Sequence, residues 1–168
     1  MHIVAYATKL PMKSQKYKLE DSLGYVMGRA ARSLGTRLNH NFTVAGYDVT
    51  CEQWGVLVNL WHKNGQTQQD LAGMTCKNKT SMTRLIDGLE KRKIVVRTPD
   101  KVDRRQKHIY LTDKGKEFQQ ELLKIVQKTL AEAQDRINAK DMAVCKKVLG
   151  RIYENLASEH KAIYSSSH

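Results

Sequence analysis

The sequence predicts a mainly α fold in which one β-hairpin interrupts a run of helices, and three observations predict it. Apolar residues recur at three- and four-residue intervals through most of the chain. Two short β-branched runs stand between such stretches. Only two prolines, Pro11 and Pro99, interrupt 168 residues, leaving long stretches free to be helical. Hydrophobic residues make up 40% and charged residues 27%, a globular balance, and a chain of this length buries a core without disulfides or metal.

Each element follows from local pattern. Between residues 18 and 42, Leu19, Leu23, Val26, Ala30, Leu34, Leu38 and Phe42 form one stripe of a long amphipathic helix. Thr50 is placed to cap a second helix carrying Trp54, Leu57, Val58 and Trp61, which ends near Asn64 and Gly65. Thr67, with Asp70 three residues on, forms the capping pattern of a short helix containing Leu71 and Ala72. After a polar turn over residues 75–77, a further helix starts at Asn78 and buries Met82, Leu85, Ile86 and Leu89. Ile94, Val95 and Val96 pair with His108, Ile109, Tyr110 and Leu111 as a β-hairpin, with the polar, basic stretch from Thr98 to Arg105 as its exposed tip. Thr112 caps the next helix, with Phe118, Leu122, Ile125, Thr129, Ala133 and Ile137 on one side. A last helix from about Ala139 aligns Cys145, Val148, Leu149, Ile152, Leu156 and Ile163.

Charge points to a partner. The net charge is +12, and residues 77–107 alone carry 11 basic and 4 acidic side chains, net +7. A solvated face explains a single lysine; this concentration is better explained by a surface that binds phosphates. Other classes are disfavoured. The longest uncharged apolar stretch, residues 53–62, is far short of the roughly 18 residues a membrane span needs. Residues 1–8 lack the basic and apolar regions of a signal peptide, so a cytoplasmic protein is expected. Cys51, Cys76 and Cys145 have no metal-ligand spacing, and no hydrolase, zinc-protease or phosphate-loop motif occurs. Neither an enzyme nor a cofactor or metal protein is expected.

A short helix, a tight turn, a second helix and a basic hairpin make the arrangement of a winged helix-turn-helix. With Met82, Leu85, Ile86 and Leu89 turned inward, Lys79, Thr80, Thr83 and Arg84 face outward, and short hydroxyl side chains at a helix N-terminus suit base edges and phosphates. The candidate DNA-reading set is Lys77, Asn78, Lys79, Thr80, Ser81, Thr83 and Arg84, with Asn78 serving either as helix cap or as contact. At the hairpin tip, Arg104 and Arg105 suit a narrow minor groove, Asp103 is placed to brace a guanidinium, and Lys107 adds charge.

These segments resemble the MarR family of regulators. The resemblance rests on Leu71-Ala72, on the run Thr83-Arg84-Leu85-Ile86-Asp87-Gly88-Leu89-Glu90, and on Ile94-Val95-Val96-Arg97. It continues through Asp103-Arg104-Arg105 and Leu111-Thr112-Asp113-Lys114-Gly115, and reaches from residue 18 to about residue 163. It implies a homodimer in which residues 18–49 and 113–163 form a helical dimerisation region around a DNA-binding region at 50–112, with an N-terminal extension at 1–17 and a tail at 164–168. The terminal stripes agree, because unpaired they expose more apolar surface than a soluble monomer shows. Double-stranded DNA with a pseudo-palindromic operator is the implied partner, and repression the implied outcome.

The family also implies a small aromatic or phenolic effector, placing a pocket near Tyr25, Trp54, Trp61 and His62; aromatic residues at helical spacing are equally core residues. The first cysteine, Cys51, lies too far along the chain for the family's peroxide-sensing position, which leaves Cys76, in the turn before the reading helix, as the redox candidate. In the extension and just after it, Lys9, Lys13, Lys16 and Lys18 are candidates for contact with flanking DNA or another subunit. The competing reading is a nonspecific or architectural winged-helix protein, which binds bulk DNA as well as any one site.

Overall fold

The structure, a computed structural model, describes residues 18–165 except 101, 104 and 105, with side chains described as far as residue 156. The expectations for the extension at 1–17, for Arg104 and Arg105, for the side chain of Ile163 and for the end of the tail lie outside the described residues. Among the described residues, six helices and three strands run in the order α1 (Leu23–Val44), α2 (Cys51–His62), β1 (Gln66–Thr67), α3 (Gln68–Met74), α4 (Lys79–Lys91), β2 (Val95–Pro99), β3 (Lys107–Leu111), α5 (Asp113–Ala133) and α6 (Ala139–Ser165). The sequence-derived mainly α architecture with one basic hairpin is the one observed.

Local capping chemistry sets most boundaries. Thr50 and Gln53 form a reciprocal capping box on α2, and Thr67 and Asp70 do the same on α3. Thr112 caps α5 by accepting from the Gly115 N–H at 3.2 Å. Two boundaries depart from the apolar pattern. Leu19 continues the stripe of α1 by spacing, yet Ser22 accepts from the Tyr25 N–H and starts the helix there, leaving Leu19–Asp21 as a single 3-10 turn. Ile137 is not on α5: the helix stops at Ala133, Arg136 adopts a left-handed φ of 59°, and Asn138 begins α6 by accepting from the Asp141 N–H at 2.9 Å.

The sheet is antiparallel with β3 in the centre, in the order β1-β3-β2. Val95 stands opposite Leu111 and Pro99 opposite Lys107, so the hairpin tip projects beyond this last pair. On the other edge Gln66 pairs with Ile109 and Thr67 with His108. The core gathers Phe42 of α1, Val56, Leu57 and Leu60 of α2, Leu71 of α3, Met82, Ile86 and Leu89 of α4, Ile109 of β3 and Leu122 of α5. Each is fully buried, so α4 and the sheet are fixed to one common interior.

The C-terminal half of α1 packs along α5. Arg37 pairs with Glu132 at 2.9 Å, and Asn41 donates to the buried Thr129 hydroxyl at 2.8 Å. In contrast, α6 keeps Val144, Val148, Tyr153 and Leu156 more than half exposed, as α1 does Leu23 and Val26. No described helix is long and apolar enough to cross a membrane.

One contact pins α5 to the root of the hairpin. A Cβ added at Gly115 would lie 2.2 Å from the Ile94 carbonyl oxygen and 3.2 Å from Leu111 Cδ2. The same carbonyl accepts from the Thr112 N–H at 3.1 Å, and the Gly115 carbonyl accepts from Trp61 Nε1 at 2.9 Å. Gly115→Ala is therefore expected to destabilise the fold by about 3 kcal/mol through backbone displacement. Urea unfolding checks this, and an unchanged midpoint would contradict the packing described.

Candidate nucleic-acid interface

Helix α4, the candidate reading helix, separates its chemistry by face. Met82, Ile86 and Leu89 are fully buried and Leu85 half-buried, which leaves Lys79, Thr80 and Arg84 on the exposed side. Neither Lys79 nor Arg84 has an ion-pair partner among the described residues. Asn78 acts as the cap, its side-chain oxygen accepting from the Ser81 N–H at 2.8 Å. The helix thus presents its positive end and its first cation on one side.

Several predicted side chains have internal partners. The Thr83 hydroxyl donates to the Lys79 carbonyl at 2.9 Å and accepts from Gln68 Nε2 at 2.6 Å. Its hydrogen is committed, so a base contact by Thr83 is left to its methyl group or its second lone pair. Lys77 is turned to Glu52 of α2 in an ion pair. Cys76 is exposed in a left-handed turn conformation with φ 51°, and its sulfur lies 4.0 Å from the Tyr153 hydroxyl of α6.

Asp87, Glu90 and Asp100 of the basic segment are engaged by basic partners within the fold, although Asp87 stays exposed. Arg97 of β2, only 14% exposed, donates to Asp87 Oδ1 at 2.6 Å and pairs with Glu90, whose other oxygen accepts from the Arg97 N–H at 3.0 Å. This clamp fastens the first wing strand to the back of α4. At the wing base, Asp100 accepts from the N–H groups of Val102 and Asp103 at 2.7 and 2.9 Å, and lies 2.9 Å from His108 Nε2. Those backbone N–H groups, with His108 adding to them, hold the Asp100 carboxyl below its ordinary range. The Gly65 carbonyl first and Asp100 second push His108 above its ordinary value. Asp103 and Lys107 are both exposed on the tip side of the hairpin.

The four aromatic pocket candidates do not form one cage. Trp54 and Trp61 lie 5.3 Å apart in an edge-on pair, and Trp61 spends its N–H on the Gly115 carbonyl, which is core behaviour. Tyr25 sits in the first turn of α1 beneath the Arg29 guanidinium, 5.7 Å from its ring centre, and His62 is exposed at the end of α2. Trp54 instead borders a groove of ≈ 380 Å³ with Cys51, Val58, Met74 and the Glu52–Lys77 pair on its walls. Burial, then Glu52, raises the Cys51 thiol above its ordinary value, which disfavours a reactive thiolate there.

A helix pair followed by a two-stranded wing, with Lys79 and Arg84 exposed on the second helix, defines a winged helix-turn-helix DNA-binding protein. Residues 49–107, from before α2 to the start of β3, match the MarR family. That match covers the winged helix-turn-helix part of the chain and is a similarity to a family of transcriptional regulators. Over 135 residues the chain is 24% identical to the HTH-type transcriptional regulator MhqR of Bacillus subtilis, spanning 80% of this chain and 92% of that one. Its fold is shared with a probable transcriptional regulator from Pseudomonas aeruginosa, at a TM-score of 0.74 and 21% identity over 80% of this chain and 99% of the other. It is also shared with BpsR of Bordetella bronchiseptica, at a TM-score of 0.74 and 18% identity over 82% and 97%.

Sequence reasoning missed Gln68, Arg97, Asp100 and His108, each of which positions a part of this surface. Removing the Arg97 clamp leaves Asp87 and Glu90 facing each other unpaired. Arg97→Met is expected to cost about 2 kcal/mol of stability and to weaken duplex binding at all salt concentrations. Chemical unfolding with fluorescence anisotropy checks both; retained affinity would show that the clamp does not shape the interface.

Proposed function

We propose that the protein is a homodimeric repressor that binds a pseudo-palindromic operator and releases it when a small aromatic effector binds. The observation that carries the DNA-reading part is the face of α4, where Lys79, Thr80 and Arg84 stand exposed while Asp87 and Glu90 are held by Arg97. In this reading α4 enters the major groove, with Lys77 and Ser81 near the phosphates, Thr83 set by Gln68, and Arg104, Arg105 and Lys107 carrying the wing to the minor groove.

The dimer reading is supported by the outer stripe of α6 and the start of α1. Leu23 and Val26 on α1, and Val144, Val148, Tyr153 and Leu156 on α6, are exposed apolar side chains that a two-fold partner would cover. Such coverage places two copies of α4 about one helical turn of DNA apart, which is the reason to expect a palindrome. The effector reading draws support from BpsR, described as regulated in its DNA binding by 6-hydroxynicotinic acid. In this chain the groove beside Trp54 ends at Met74, Thr75 and Lys77, next to the turn that sets α4. An effector there releases DNA only by favouring a dimer whose two reading helices no longer match the groove spacing.

Operator selection from random duplexes tests the reading. A specific regulator is expected to enrich one palindrome and to prefer it to bulk DNA by about a thousandfold or more; equal affinity for all duplexes would assign an architectural role instead. Lys79→Ala is expected to lower the slope of log affinity against log salt by about 0.9, the loss of one phosphate contact. Arg84→Ala is expected to weaken the selected site more than random DNA. An unchanged slope together with unchanged preference would contradict the assignment of this face.

A further inference from the structure

His108 occupies a position that demands a charge. Its Nδ1 lies 2.9 Å from the Gly65 carbonyl oxygen and its Nε2 lies 2.9 Å from Asp100 Oδ2. A carbonyl has no hydrogen to give, and Asp100 is held as a carboxylate by the N–H groups of Val102 and Asp103. Both ring nitrogens must therefore donate, and only the imidazolium has two N–H groups. A neutral ring would keep one of these bonds and turn a lone pair on the other oxygen.

The two partners lie on different parts of the molecule. Gly65 belongs to the turn between α2 and β1; its φ is 76°, its N–H donates to the Ile109 carbonyl at 3.0 Å, and a Cβ there would stand 2.6 Å from the Tyr110 ring. It is a fixed point. Asp100 opens the wing loop, whose course hangs on it: the Asp100 N–H donates to Gln106 at 3.0 Å and the Gln106 N–H to Asp103 at 2.9 Å. We propose that the His108 imidazolium is a positioning residue for DNA binding, latching the base of the wing to the α2–β1 turn, and that duplex affinity falls as this ring gives up its proton.

The surroundings add one further charge of the same sign as Asp100. Asp70 of α3 adds a second negative charge, β1 contributes only Gln66 and Thr67, the opposite residue on β2 is Thr98, and the Tyr110 ring lies 6.5 Å away. Lys107, adjacent on the same strand, is exposed. The sign follows. Because the folded His108 is raised above its ordinary 6.5, the latch is complete below that pH and is lost as pH rises through the raised value. DNA phosphates beside the wing favour the cation further, so binding takes up a proton in that window.

The proposal rests on the reading that the wing touches DNA, and the test separates the two. Affinity for a duplex selected by the full-length chain is measured from pH 6 to pH 9 at constant ionic strength, with the His108 ring followed by NMR. Wild type is expected to lose about tenfold in affinity over this range, in step with deprotonation of the ring. His108→Gln is expected to bind weakly at pH 6 and to show no step, so that the two profiles converge at high pH. Asp100→Asn keeps an acceptor for the wing backbone but removes the charge, and is expected to move the wild-type step to lower pH. A constant gap between wild type and His108→Gln, a neutral ring at pH 6, or an unmoved step in Asp100→Asn would each overturn the latch. If the wing reading itself fails, Arg105→Ala binds as wild type at every pH while the ring is still seen to titrate. If only the latch fails, Arg105→Ala remains weakened.

Discussion

The hold of Arg97 on Asp87 and Glu90 is the constraint on which the proposed DNA-binding surface depends. A helix that carries two carboxylates near two cations would otherwise present a mixed face to a polyanion. By placing a nearly buried guanidinium behind α4, the chain spends a cation to draw its acids toward the wing strand. The same contact sets the angle between reading helix and wing, because β2 cannot shift without breaking it. Charge sorting and geometry are thus one interaction.

The scaffold around this clamp makes the surface stiff. Leu71, Met82, Ile86 and Leu89 share a core with Phe42, Ile109 and Leu122, so α4, the sheet, α1 and α5 are packed on one interior. The close approach of Gly115 to the Ile94 carbonyl, and the Trp61 N–H on the Gly115 carbonyl, tie the end of the wing to α2 and α5. A change in how α1, α5 and α6 meet a partner would therefore be delivered to α4 as a rigid-body displacement, which suits control from outside the DNA-binding region.

Much of the fold was legible in the sequence because its determinants are local. Thr50, Thr67, Asn78 and Thr112 cap the helices they precede, and the inward stripe of α4 left Lys79, Thr80 and Arg84 outward by simple periodicity. The misreadings have physical causes. Leu19 and Ile137 extend apolar spacing past the residues that stop their helices, and a two-residue strand such as β1 is shorter than any periodicity. The unseen part of the site lies in pairings that only topology creates. Gln68 meets Thr83 across 15 residues, Lys77 meets Glu52 across 25, and His108 meets Gly65 across 43. No spacing rule connects such residues.

The central claim is that one face, built from α4 and the wing, lies against the double helix. Lysine acylation followed by mass spectrometry, with and without a saturating duplex, reads that face directly. The account predicts that DNA shields Lys79 and Lys107 and leaves Lys124, on the outer side of α5, as reactive as in the free protein. Shielding of Lys124 with Lys79 still reactive would place the duplex elsewhere on the molecule and contradict it.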